Sequence, residues 1–166
     1  MAAAVVFYSR SNNTRTAAGF LAEKLNAELV ELVESKGRQG LLGFMKSGYQ
    51  AVARRSSKLE GKPWEKTAGC KKLFLLTPIW GGNGTPAMKR FVEEAEFYGK
   101  EVIVVTFQSD EQRKGSEKVH NMYKEIIENK GGKFIEGIAL HSALPGKFAG
   151  KEYIETQVKD FILSDD

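Results

Sequence analysis

Five short apolar runs, rich in Val, Ile, Leu and Phe, recur along this chain, and the stretches between them repeat their apolar residues at helical spacing. The runs are Ala3 to Tyr8, Glu28 to Val33, Leu73 to Thr77, Val102 to Phe107 and Phe134 to Leu140. The helical stretches carry stripes such as Ala18, Leu21, Ala22 and Leu25; Met88, Phe91, Val92 and Ala95; Val119, Met122, Tyr123, Ile126 and Ile127; and Tyr153, Ile154, Val158, Phe161 and Ile162. Strands separated by helices pair in parallel, and right-handed crossovers put the helices on both faces of the sheet. The expected fold is therefore α/β, a doubly wound three-layer sandwich around a five-stranded parallel sheet. With 166 residues, 42% of them hydrophobic, the chain suffices for one core, and residues 1–166 are read as a single domain.

Local signals set the element ends. Thr85 is a good N-cap, with Pro86 in the first helical position behind it, and Gly131-Gly132 should stop the helix that carries Tyr123. The first helix is expected from Thr14 to Asn26, and the second strand nearer an edge of the sheet. Lys36 to Thr67 is too long for a simple connection. It opens with Gly37, Gly40 and Gly43, holds a helix pattern from Phe44 to Arg55 and closes in a Gly61-Lys62-Pro63-Trp64 turn.

Charge narrows the partners. The formal net charge is +4, yet Lys36 to Lys72 holds ten Lys or Arg against Glu60 and Glu65, a local +8 that leaves the remainder of the chain at −4. Basicity confined to one segment argues against a nucleic-acid-binding domain and fits either a solvated surface or a docking patch for an acidic partner. The single cysteine, Cys70, excludes an internal disulfide framework and a multi-cysteine metal site, and fits a reducing compartment. No apolar run is long enough to span a bilayer, so the expectation is a soluble cytoplasmic protein.

In doubly wound sheets ligands bind outside the carboxyl ends of the strands. Three unusual loops lie there. Loop one, Ser9 to Thr16, joins a strand to a helix N-terminus, where unpaired amides and the helix dipole favour an anion. Ser9, Ser11, Thr14 and Thr16 add hydroxyls, and no acidic residue occurs before Glu23, so the loop reads as a cradle for a terminal phosphate. It lacks the glycines of a dinucleotide fingerprint and the Gly-Lys-Ser/Thr of a nucleoside-triphosphate loop. Loop two, Pro78 to Thr85, sets Trp80 among three glycines that let backbone approach a ligand, and a flat heterocycle could stack there. Taken alone, Trp80 is more often a core or lid aromatic than a stacking platform. Loop three, Phe107 to Asp110, would add contacts at the ring's edge.

Tyr-Ser-Arg-Ser-Asn-Asn-Thr, starting at Tyr8, resembles the phosphate loop of the flavodoxin family, and Thr77-Pro-Ile-Trp-Gly-Gly-Asn-Gly-Thr-Pro-Ala-Met-Lys-Arg-Phe91 is similar to its flavin-ring loop and following helix. The resemblance implies a sheet of order 2-1-3-4-5, a flavodoxin architecture for which FMN at the switch point is a standing example. It implies FMN as cofactor, with Ser9, Ser11, Asn12, Asn13, Thr14 and Thr16 at the phosphate. Pro78, Ile79, Trp80, Gly81, Gly82 and Asn83 would lie along the ring, and Phe107, Gln108, Ser109 and Asp110 would close its other side. Asn12 stands where the family has Gly, and Asn tolerates the left-handed backbone that position needs. Loop three lacks the Tyr that many flavodoxins stack on the ring, which makes Phe44 and Tyr49 of the middle segment the candidates to cover the second face.

The implied function is transfer of electrons between redox partners, the acceptor being a protein or a small molecule. The alternative is an FMN-dependent NAD(P)H:quinone-type reductase, whose chemistry would belong to the flavin, so that no catalytic acid or base need be visible. A flavin-free receiver domain would need an Asp at the end of strand three and acids after strand one, where this chain has Thr77-Pro78 and Ser9-Arg10. Few acids flank the cradle, which predicts a less negative potential for a bound ring than in acidic carriers. His120 and His141 are expected in surface or capping roles, and Cys70 as a structural residue near the surface.

Overall fold

The computed structural model describes residues 2–35 and 56–164. Five strands, β1 (Ala3–Phe7), β2 (Glu28–Glu31), β3 (Lys72–Pro78), β4 (Glu101–Gln108) and β5 (Lys133–His141), form one sheet. Five helices are described beside them: α1 (Asn13–Leu25), α2 (Pro63–Lys66), α3 (Pro86–Glu94), α4 (Ser116–Asn129) and α5 (Lys151–Ile162). The expected helix from Phe44 to Arg55, with Phe44 and Tyr49, lies outside the described residues. All pairings are parallel and the order is β2-β1-β3-β4-β5, as the resemblance implied. In register, Val5 sits between Leu29 and Phe74, and Phe74 opposes Ile103.

Alternation along the central strands sends side chains into two cores, which is why both β3 and β4 read as continuous apolar runs. On one face Val6, Leu73, Leu75, Val102 and Val104 pack under Met88, Phe91 and Val92 of α3 and Val119, Tyr123 and Ile127 of α4. On the other, Val5, Phe7, Phe74, Leu76, Ile103 and Val105 meet Ala17, Ala18 and Leu21 of α1 and Ile154 and Val158 of α5. Each fully buried Leu, Phe or Val contributes about 1.5–3 kcal/mol.

The helix signals at α3 behave as written in the sequence. The Thr85 hydroxyl accepts the Met88 amide at 3.3 Å, Pro86 follows, and Thr77 and Thr85 share a hydrogen bond of 2.8 Å. Gly131, at φ 76°, ends α4, and the Gly132 amide returns to the Ile127 carbonyl. Two lysines complete the carbonyls left open elsewhere. Buried Lys100 donates to the Thr67, Ala68 and Cys70 carbonyls, and Lys130 to those of Val92, Glu93 and Ala95 at the end of α3.

Several expectations are corrected. The Pro63-Trp64 turn is one turn of helix, with Pro63 suited to the first position. Tyr153 and Phe161 are exposed rather than inside the α5 stripe, because α5 meets the sheet beside the edge strand β5 with only its Ile154–Val158 face. His120 is not at the surface. Its ring is buried between α4 and the sheet, Nε2 shares a 2.8 Å hydrogen bond with the Thr106 hydroxyl, and burial lowers its pKa. Gly137 of β5 makes room for it, since a Cβ there would overlap the imidazole. Cys70 is buried as well, and burial, aided by Glu28, raises its thiol pKa, the reverse of a reactive thiolate.

Candidate functional site

Parallel strands place every strand-to-helix loop at one end of the sheet, and there an open cleft of about 740 Å³ lies between four of them. A cleft of that size is within the usual range for small-molecule sites. Loop one supplies Ser11, Asn13 and Thr14; loop two supplies Pro78, Ile79, Trp80 and Gly81; loop three supplies Phe107, Gln108 and Ser109. The structure thus brings the three loops named from the sequence to one cavity.

At loop one, Asn12 has φ 66°, the left-handed conformation that glycine would adopt there, and it is the N-cap of α1 without a capping side-chain bond. The first amide of the helix to find a main-chain acceptor is that of Thr16, which reaches the Asn12 carbonyl at 2.9 Å. Among the described residues, no hydrogen bond engages the amides of Ser11, Asn12, Asn13, Thr14 or Arg15. Thr14 is only 2% exposed and lines the cleft, and among the described residues no hydrogen bond occupies its hydroxyl. Unbonded amides at the positive end of a helix dipole, an available hydroxyl and, among the described residues, no acid on the cleft wall form a donor set that fits a phosphate. Ser9 is off the wall, its hydroxyl covered and unpartnered. Asn12 and Thr16 are also off it, Asn12 exposed with its side-chain oxygen accepting from Arg15, which in turn pairs with Glu31.

Loop two is a tight turn. Trp80 and Asn83 exchange both main-chain hydrogen bonds, at 2.8 and 3.0 Å, around Gly81 at φ 54° and Gly82 at φ 72°. Positive φ at both central residues is the type I′ geometry, for which glycine is favoured. The turn turns Trp80 inward: its indole is 6% exposed, meets the Tyr8 ring edge-on at 5.5 Å, and carries the Arg10 guanidinium 5.4 Å from its centroid. Loop two accordingly offers the cleft mainly backbone and Ile79, while most of the indole belongs to the core beneath. Gly82 and Asn83 lie outside the wall, Asn83 holding the Gly81 carbonyl.

Loops two and three are joined by the Ile79 amide, which donates to the Phe107 carbonyl at 2.9 Å. Gln108 is buried, with Nε2 donating to the Lys114 carbonyl and Oε1 left without a partner. Asp110 is not on the wall. Its carboxylate receives the Lys114 and Gln112 amides, which hold its pKa below the usual carboxylate range and tie it to its own turn. His141 bridges outward, one ring nitrogen 2.7 Å from the Tyr153 hydroxyl and the other 3.3 Å from the Ser109 carbonyl, so it braces loop three from behind.

Two contributors were not anticipated. Arg10 lines the cleft, and so does a fourth loop, through Ser142, Ala143, Pro145 and Gly146 after β5. The Pro145-Gly146 turn dipeptide at a carboxyl end was the available signal for that loop; Arg10 had only its place between Ser9 and Ser11. Neither Asp, Glu nor His stands among the described residues of the wall.

No protein-family model matches the sequence, and no curated protein matches it significantly. Solved structures do. A proposed flavoprotein from Bacteroides uniformis superposes with a TM-score of 0.69 at 18% identity, covering 95% of this chain and 97% of its own. A flavoprotein in complex with FMN from Lactobacillus acidophilus gives 0.62 at 16%, over 83% and 92%. Oxidised flavodoxin 1 from Bacillus cereus gives 0.57 at 15%, over 96% and 94%. The chain has the flavodoxin-like fold.

Proposed function

We propose that this chain binds FMN in the four-loop cleft and transfers electrons between redox partners. The observation that carries the reading is loop one, where five consecutive amides without hydrogen-bond partners among the described residues accompany a cleft-lining Thr14 at the N-terminus of α1. That donor set suits one phosphate, and the space between loops two and three suits a flat ring attached to it. Supporting it, one neighbour of the same fold was solved with FMN. Bound FMN would supply the redox chemistry through its ring.

The chain's own part is binding and orientation. Ser11, Thr14 and the loop-one amides would hold the phosphate; the Pro78–Gly81 backbone and the Phe107–Ser109 segment would flank the ring; Arg10 would set a positive charge beside it. The test is titration of the purified protein with FMN and with riboflavin, read by flavin fluorescence, followed by steady-state assay with a nicotinamide and a soluble quinone. Tight binding of FMN over riboflavin with no nicotinamide turnover is expected. Sustained turnover would move the assignment to a reductase, and failure to bind FMN would end it.

A further inference from the structure

We infer that Asn13 is a positioning residue that fastens the phosphate-facing loop to the segment after β5, so that residues 142–149 form the fourth wall of the cleft and tighten together with a bound phosphate. The ligand in this inference rests on the FMN reading; the fastening itself does not.

Asn13 is 4% exposed and its carboxamide is committed elsewhere than the cleft. Nδ2 donates to the Lys147 carbonyl at 2.8 Å and to the Ser11 hydroxyl oxygen at 3.1 Å, while Oδ1 accepts the Ala149 amide at 2.8 Å. A carbonyl only accepts and an amide only donates, so these partners fix which end of the carboxamide is which. The family resemblance places Asn13 at the phosphate; in this structure its side chain serves a segment more than 130 residues away, and its unbonded main-chain amide is what remains for an anion.

Ser11 gains from the same arrangement. Its oxygen receives the Asn13 N–H from behind, so its own proton is directed elsewhere, and Ser11 lines the cleft. Held in this way the hydroxyl is a donor, the polarity a phosphate requires.

The segment after β5 is held at its ends, where Ser142 is buried and Ala149 packs against the core beside α1 and α5, and Asn13 ties it between them to loop one. Leu144 is 67% and Phe148 48% exposed, so neither anchors it in the core. Among the described residues, the hydrogen bonds that tie 142–149 to other elements are the Ser142 amide to the Gln108 carbonyl, at 2.8 Å, and the two made by Asn13. Fastening is reciprocal: a ligand that orders the loop-one amides stabilises the Asn13 contacts, and the contacts improve binding by the same factor.

The test is hydrogen–deuterium exchange of 142–149 in the wild type, Asn13→Ala and Asn13→Asp, each without ligand and with FMN, together with dissociation constants for FMN. Without ligand, Asn13→Ala should speed exchange of the segment roughly tenfold or more while the amides of β3 and β4 stay protected. Asn13→Asp keeps an acceptor for Ala149 and loses the donor to Lys147, so its exchange should be intermediate; it also carries the test should the alanine variant not fold. FMN should slow exchange of 142–149 in the wild type, fail to do so in Asn13→Ala, and bind that variant about tenfold or more weakly. Unchanged exchange in both ligand-free variants overturns the fastening. Faster exchange with FMN-induced slowing intact overturns the coupling and leaves Asn13 a structural tie. Wild-type protein that binds no FMN overturns the proposed function, while the ligand-free comparison still decides the fastening.

Discussion

Replacing Thr14 by Val isolates one element of the phosphate site. The two side chains are close to isosteric, and Thr14 is 2% exposed on the first turn of α1, so the change removes a hydroxyl and leaves the packing nearly intact. That hydroxyl has no protein hydrogen bond to lose among the described residues, so stability should change little. A hydrogen bond to a charged group contributes about 1.5–3 kcal/mol, which corresponds to a loss of roughly 10- to 150-fold in FMN affinity. Riboflavin lacks the phosphate, and its affinity should stay within about a factor of two of the wild-type value. Fluorescence titration of the apoprotein with each flavin at one fixed salt concentration measures both. An unchanged FMN constant would refute the placement of phosphate at loop one, and equal losses for the two flavins would show that Thr14 acts on the ring or on the fold.

Arg10→Gln should make the reduction potential of bound FMN more negative, because a cation beside the ring favours the added negative charge; a potential unmoved in spectroelectrochemical titration would place Arg10 away from the ring. His120 is held neutral, its folded pKa lying below the unfolded value of about 6.5, so the unfolded chain binds the extra proton and stability should fall as pH drops from about 6.5 toward the folded value, with no contribution above about 7. Urea denaturation across that range should show the slope in the wild type and a smaller one in His120→Gln; equal slopes would assign it to other groups. Gly84→Ala should destabilise strongly, since a Cβ would collide with the Tyr123 hydroxyl, and adding Tyr123→Phe should restore part of the loss in thermal denaturation. Lys100→Met should cost at least about 1–3 kcal/mol by stranding the Thr67, Ala68 and Cys70 carbonyls, and a variant of wild-type melting temperature would show that water satisfies them.

Much of the molecule was legible before the sheet was seen. Two-sided burial made β3 and β4 continuous apolar runs, Thr85-Pro86 marked the start of α3, and Gly131 marked the end of α4 through its positive φ. Loops one to three were located for a topological reason, since parallel strands send every such loop to one end. Less visible were side chains whose role depends on a distant partner. His120 read as a surface residue because nothing near it in the chain shows that Gly137 leaves room for its ring. Trp80, which taken alone reads more often as a core or lid aromatic than as a stacking platform, is folded against Tyr8 by a turn whose packing no local window shows. Tyr153 and Phe161 repeat at helical spacing, yet α5 sits by an edge strand and buries a narrower face than its stripe suggests.

The sequence by itself determined the alternation of strands and helices, the double core and an anion-suited junction at Ser9 to Thr16. Those properties follow from periodicity and from the backbone preferences of neighbouring residues. Only the tertiary structure decided that the segment after β5 closes the same cleft, that Arg10 lies over Trp80, and that Asn13 reaches Lys147 and Ala149 instead of facing the phosphate position. Contacts across more than 130 residues are fixed by strand order and packing, and neither is encoded in any local window of the chain.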